Sequence, residues 1–127
     1  MLLLDTVTFL WLLSDSPRLS EKTRGAFRDP DNEVYLSSVS SWEIAVKNRL
    51  GKLPLPQPAE IFVPEMRETL LVESLPLDEA STLQLCKLPD LHRDPFDRML
   101  VCQAIEHGLT IMTPDEQIRQ YPVRCLW

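Results

Sequence analysis

The 127-residue chain carries 44% hydrophobic and 25% charged residues with only 3 Gly, which fits a single packed domain over residues 1–127 and argues against a disordered, collagenous or disulfide-scaffold protein. Its 13 Lys and Arg against 19 Asp and Glu give a formal net charge of −6. The surface as a whole is therefore no trap for polyanions, and any contact with nucleic acid must be local or metal-assisted.

The opening run from Met1 to Leu4 is continuously apolar, as in a strand covered on both faces of a parallel sheet, and Asp5 stands at its end. The apolar stretch from Met1 to Leu13 has no Lys or Arg near its start, is interrupted by Asp5 and is far shorter than the ~20 residues of a membrane span, so no secretory signal or membrane role is expected. Phe9, Leu10, Leu12 and Leu13 predict a helix from Thr6 to Leu13, stopped by Ser14-Asp15-Ser16-Pro17. A second helix is expected from near Ser20 to near Asp29-Pro30, then a strand from Val34 to Val39. Trp42 to Leu50 reads as an amphipathic helix with Ile44, Ala45 and Leu50 inward and Lys47, Asn48 and Arg49 outward, closed by Gly51.

Pro54, Pro56 and Pro58 make a stiff loop before a helix containing Ile61, Phe62 and Met66, with Pro64 in its first turn or at a kink. Leu70 to Leu75 predicts a third strand, Asp78 to Leu88 a helix and Pro89 to Arg93 a polar loop. The clearest helix runs from Asp94 to His107, with Phe96, Leu100 and Ala104 inward and Val101 and Ile105 beside them, ended by Gly108. Leu109 to Met112 reads as a fourth strand, and a short helix from Pro114 leads to a last strand near Val123 to Leu126. This alternation predicts an α/β fold with right-handed crossovers and a mostly parallel, twisted sheet of about four to five strands, covered on both faces. In such sheets the functional crevice lies beyond the carboxyl ends of the strands.

Three cysteines, Cys86, Cys102 and Cys125, are widely spaced without a C-x-x-C pair, which supports neither a zinc site nor a disulfide framework and fits a reducing cytoplasm. The glycines Gly25, Gly51 and Gly108 form no phosphate loop. His92 and His107 have no motif-placed Ser or Cys nucleophile and read as a loop and a helix-end residue. Trp11, Trp42, Phe62 and Met66 are candidates for a partner surface, though residues of their type at helical spacing are more often core.

Four acids share one kind of position. Asp5 follows the first strand, Glu43 falls in the first turn of the helix after the second, Asp97 in the first turn of the strong helix, and Asp115 after the fourth strand. Each also has a capping explanation: Ser40-x-x-Glu43 and Thr113-x-x-Glu116 match capping boxes, and Asp94-Pro95-Phe96-Asp97 reads as an Asp cap followed by Pro. Asp5 resists that account, because a carboxylate at the end of a buried strand is costly without a counter-charge. Converging acids would repel one another unless a cation neutralised them, and oxygen-only ligands favour Mg²⁺ or Mn²⁺. Such a site suits phosphodiester hydrolysis. Lys47 and Arg98 are placed to touch a substrate phosphate or brace an acid, or else form a surface ion pair and a solvent-facing charge.

Leu3-Leu4-Asp5-Thr6, Ser41-Trp42-Glu43-Ile44-Ala45 with Lys47, His92-Arg93-Asp94-Pro95-Phe96-Asp97-Arg98-Met99-Leu100 and Thr113-Pro114-Asp115 together resemble the PIN-domain ribonucleases, specifically the VapC-type toxins of bacterial type II toxin–antitoxin pairs. The resemblance implies a PIN-like α/β/α sandwich and an acidic quartet of Asp5, Glu43, Asp97 and Asp115 around Mg²⁺ or Mn²⁺ that cleaves single-stranded RNA. It assigns Thr6 and Thr113 to orienting carboxylates and leaves Asp94 as the helix cap, with a possible contact to a water on the metal. It also implies a homodimer and a cognate antitoxin whose C-terminal segment blocks the site. Val7 departs from the pattern, since relatives often carry a polar residue there. Two other readings compete: a haloacid-dehalogenase-like phosphatase, which wants a second Asp where Val7 stands, and a non-catalytic interaction module whose acids only cap helices.

Overall fold

The computed structural model describes all 127 residues. In chain order it contains β1 (Leu2–Leu4), α1 (Thr6–Ser14), α2 (Glu21–Arg28), β2 (Val34–Ser37), α3 (Ser38–Arg49), α4 (Ala59–Thr69), β3 (Glu73–Leu75), α5 (Glu79–Leu83), α6 (Pro95–His107), β4 (Thr110–Met112) and β5 (Cys125–Leu126). Single 3-10 turns follow at Gln84–Lys87 and Ile118–Gln120. The strands form one sheet in the order β3-β2-β1-β4-β5, and every pairing is parallel.

β1 is central because it can be buried twice. Leu2, Leu3 and Leu4 pair with Val34, Tyr35 and Leu36 on one side and with Thr110, Ile111 and Met112 on the other. Side chains alternate across the sheet, so Leu3 joins the core under α6 with Leu100, Val101, Ile111 and Ile118. Leu2 and Leu4 join the opposite core with Phe9, Leu36, Ile44, Phe62 and Met112. Each such fully buried aliphatic side chain contributes about 1.5–3 kcal/mol of transfer free energy. The chain builds outward from β1 to β2 and β3, then returns to the other side of β1 for β4 and β5. Strand order thus reverses between β1 and β4, and the crevice beyond their carboxyl ends lies there.

Several boundaries differ from the expectations. α3 begins at Ser38 rather than Trp42, because β2 stops at Ser37, whose side-chain oxygen accepts the Val39 N–H at 3.0 Å as the helix cap. The earlier start rotates the helix pattern: Val39, Ser40, Glu43 and Ile44 are buried, whereas Ala45 is exposed and Leu50 is 62% exposed. Pro64 sits well inside α4, beyond its first turn. Leu70 to Val72 forms a turn with Leu71 at φ 57°, so β3 starts only at Glu73. No helix starts at Pro114; Thr113 to Asp115 is irregular and only the 3-10 turn at Ile118–Gln120 follows. α6 keeps its expected ends, with Asp94 capping the Phe96 and Asp97 N–H groups and Gly108 in the left-handed conformation at φ 66°. No helix is long and apolar enough to cross a membrane.

Candidate active site

Asp5 leaves the end of β1 and turns into α1, where its Oδ1 accepts the Thr8 N–H at 2.8 Å. Its Oδ2 accepts the Thr113 hydroxyl at 2.5 Å, and the residue is only 3% exposed. Burial raises the Asp5 carboxyl above its ordinary range; the hydrogen bonds from Thr113 and Thr8 oppose this, and the charge of Asp115 adds to it. Asp5 is therefore both the α1 cap and a buried acid at the carboxyl end of β1. Asp115 enters from β4, its N–H donating to Thr113 Oγ1 at 3.0 Å and its Oδ1 accepting the Gln117 N–H at 2.8 Å.

Glu43 lies in the second turn of α3, 4% exposed, and caps nothing. Its Oε1 accepts the Thr6 hydroxyl at 2.6 Å, which also lies 2.9 Å from Ser40 Oγ. The expected capping box at Ser40 is absent, because Ser40 is inside the helix and Ser37 is the cap. The second box fails for the same kind of reason: with no helix after Thr113, its hydroxyl serves Asp5 and Asp115 while Glu116 is exposed. Two of the bland explanations for the acids are thereby removed.

Asp97 comes from the first turn of α6. Its carboxyl is pushed up to about 7, chiefly by burial and then by the charges of Asp94, Glu43 and Asp5, against a hydrogen bond from His92 that lowers it. The negative charges of Asp5, Glu43 and Asp94 thus converge on Asp97, and that of Asp115 on Asp5. Lys47 is the cation of the group. Its ammonium pairs with Glu43 Oε2, and this hydrogen bond, with the more distant charges of Asp94 and Asp97, holds the amine above its usual value. It braces an acid, with its side chain still 43% exposed.

Arg98 forms no hydrogen bond or ion pair with the four acids: at 14% side-chain exposure it donates to the carbonyls of Pro89 and His92 and to the Tyr121 hydroxyl, and pairs with Asp90. His92, read from sequence as an ordinary loop residue, places Nε2 3.0 Å from Asp97 Oδ2. Donor atoms of His92, Asp94 and Asp97 lie within 4.8 Å of one another. An open cavity of about 840 Å³ borders this loop, lined by His92, Arg93, Arg98 and Gln117 among others. Of the four apolar candidates, Phe62 is core, Trp11 and Met66 are half-buried, and Trp42 is 58% exposed with its ring 4.8 Å from that of Phe96. The charges of Asp5, Glu43 and Asp94 act on Asp97, and the donor atoms found within 4.8 Å of one another are those of His92, Asp94 and Asp97, a set in which carboxylates dominate and which suits a divalent cation.

The sequence pattern of the PIN domain matches residues 2–123. The chain belongs to the PIN-domain family. This PIN domain is 36% identical over 118 residues to Ribonuclease VapC16 of Mycobacterium tuberculosis, a match covering 87% of the chain and 77% of that protein. It is 27% identical over 120 residues to Ribonuclease VapC22 of the same organism, covering 94% and 90%. These relatives make it a PIN domain of the VapC type. Among solved structures, VapBC2 from Rickettsia felis bound to a DNA fragment from their promoter superposes with a TM-score of 0.75 at 15% identity, covering 99% of this chain and 98% of that one. FitAcB from Neisseria gonorrhoeae gives 0.69 at 20% identity, covering 100% and 97%. At those identities the likeness shows that the fold is shared.

Proposed function

We propose that this PIN domain, spanning residues 1–127, is a divalent-metal-dependent endoribonuclease and the toxin of a type II toxin–antitoxin pair. Asp5, Glu43, Asp97 and Asp115 are its catalytic residues and the ligands of Mg²⁺ or Mn²⁺. The observation that carries this is geometric: Asp5 and Glu43 are buried, Thr113 joins the Asp5 carboxylate to the Asp115 backbone, Thr6 of α1 joins Glu43 of α3, and the charges of Asp94, Glu43 and Asp5 all act on Asp97. A cation in that place removes the repulsion that the fold otherwise sustains. A divalent ion held by these residues would supply charge neutralisation at a phosphodiester and a more acidic water for in-line attack.

The chain's own residues fix where that happens. Thr6 holds one oxygen of Glu43, Thr113 ties Asp5 to the Asp115 backbone, and Lys47 holds the other Glu43 oxygen. Asp94 is a cap whose carboxylate stands beside the centre. The nuclease reading draws on the relatives named ribonucleases, and the antitoxin partner on the family resemblance and the VapBC2 likeness. RNA as substrate, a homodimer and a cytoplasmic location are part of the same proposal.

The test is cleavage of a labelled RNA by antitoxin-free protein, with Mn²⁺ or Mg²⁺ against chelator, beside an Asp5→Asn variant prepared identically. Metal-dependent cleavage that disappears in the variant is the expected result. Equal behaviour of the two proteins, with no metal bound by either, would overturn the proposal and leave an interaction module.

A further inference from the structure

The residue that the sequence left without a task is His92. It lies in the irregular segment between the turn at Gln84–Lys87 and α6, with its side chain 14% exposed. With Asp97 ionised, His92 Nε2–H donates to Asp97 Oδ2 at 3.0 Å, while no protein donor reaches Asp97 Oδ1. One carboxylate oxygen is therefore engaged by the imidazole, and the other accepts no hydrogen bond from the protein.

This placement is enforced by the chain rather than by the histidine itself. The Arg98 guanidinium, one residue after Asp97, donates from Nη1 to the His92 carbonyl at 3.3 Å and to the Pro89 carbonyl at 3.2 Å, and its Nη2 pairs with Asp90 at 3.2 Å. The Tyr121 hydroxyl, which receives Arg98 Nη1 at 3.2 Å, lies 3.5 Å from the same His92 carbonyl. A single planar fork thus gathers the segment from Pro89 to His92 onto the first turn of α6. The turn that carries the acid also carries the clamp that brings its histidine.

Resting on the metal-centre reading above, we propose that His92 is a positioning residue, whose ring N–H fixes the rotamer of Asp97 so that its free oxygen faces the cation. His92 is not itself a ligand. Its Nε2 is occupied by Asp97, and Asp94, the remaining member of that trio, spends Oδ1 on the backbone of Phe96 and Asp97. Hydrogen-bond partners standing behind metal ligands in this way set affinity because they remove the ligand's freedom to turn away.

The experiment is Mn²⁺ titration of the antitoxin-free protein by calorimetry, on wild type, Asp5→Asn, and His92→Ala, →Asn and →Gln, with metal-free thermal unfolding of each. Gln places its amide N–H near the position of Nε2, whereas Asn is one carbon too short. We expect His92→Ala and His92→Asn to bind Mn²⁺ roughly 10–100-fold more weakly, and His92→Gln to return close to wild type. The Gln and Asn pair decides even if the Ala variant does not fold. Equal affinity of the Gln and Asn variants, whether both strong or both weak, overturns the assignment; both weak would make the imidazole a direct ligand. Failure of wild type to bind more tightly than Asp5→Asn would instead sink the metal centre itself, and the role of His92 with it.

Discussion

Thr113 and Asp5, 108 residues apart in sequence, share a hydrogen bond of 2.5 Å at the point where strand order reverses. The Thr113 hydroxyl has a single proton and gives it to Asp5, while its oxygen accepts the Asp115 N–H. One small side chain thus sets the positions of two of the acids, and it does so from a fully buried site. The pairing is available because β1 and β4 are in parallel register, Leu4 beside Met112, so the residues that follow them leave the sheet side by side.

Replacing this hydroxyl separates its role from the volume of the side chain. Thr113→Val leaves Asp5 Oδ2 without its donor and the Asp115 N–H without its acceptor, and is expected to cost about 1–3 kcal/mol of stability. Thr113→Ser, which keeps the hydroxyl, should lose much less. Urea unfolding of the metal-free proteins compares them, and equal losses in the two variants would show that the methyl group is what matters.

Asp97 predicts the pH dependence of the metal-free protein. Its folded carboxyl, at about 7, lies above its ordinary value of 3.8, so the folded state holds the proton more tightly than the unfolded state between those two values. The Asp97 contribution is therefore fully present at low pH and is lost as pH rises through about 7. Asp97→Asn, which has no proton to lose, should flatten this decline. Melting temperature from pH 5 to 8 checks it; a wild type and variant with parallel profiles would refute the assignment.

Metal binding should show the opposite trend. A cation must displace the Asp97 proton, so Mn²⁺ is expected to raise the melting temperature more at pH 8 than at pH 5.5. If the stabilisation is the same at both values, Asp97 is not among the groups that the ion meets.

The acids also divide by what an amide can replace. Asp5→Asn, Glu43→Gln, Asp97→Asn and Asp115→Asn should each abolish RNA cleavage with the fold retained. Asp94→Asn should keep most activity, because Asn serves almost as well as an N-cap, whereas Asp94→Ala should lose about 0.5–2 kcal/mol of stability. Cleavage rates and circular dichroism on the set test this, and an Asp94→Asn variant as inactive as Asp97→Asn would move Asp94 among the ligands.

Much of this architecture was legible in the order of residues. The apolar run before Asp5 marked the central strand, and Asp94-Pro95 with Gly108 marked both ends of α6, because caps and apolar runs are chosen locally. The start of α3 was not legible. Ser37, Ser38, Ser40 and Ser41 are all competent caps, so local preference does not choose among them. The tertiary structure chooses Ser37, whose hydroxyl meets the buried Gln103 of α6, and that choice carries Glu43 from a capping turn into the acid cluster.

His92 and Arg98 show the same division at the site. The chain by itself determined which acids follow strands or open α6, since these are properties of neighbouring residues. Only the fold decided that an arginine next to an acid would turn away to clamp a loop, and that the loop's histidine would stand behind Asp97. Those contacts depend on where separate segments meet in space, and no periodicity within either segment encodes that meeting.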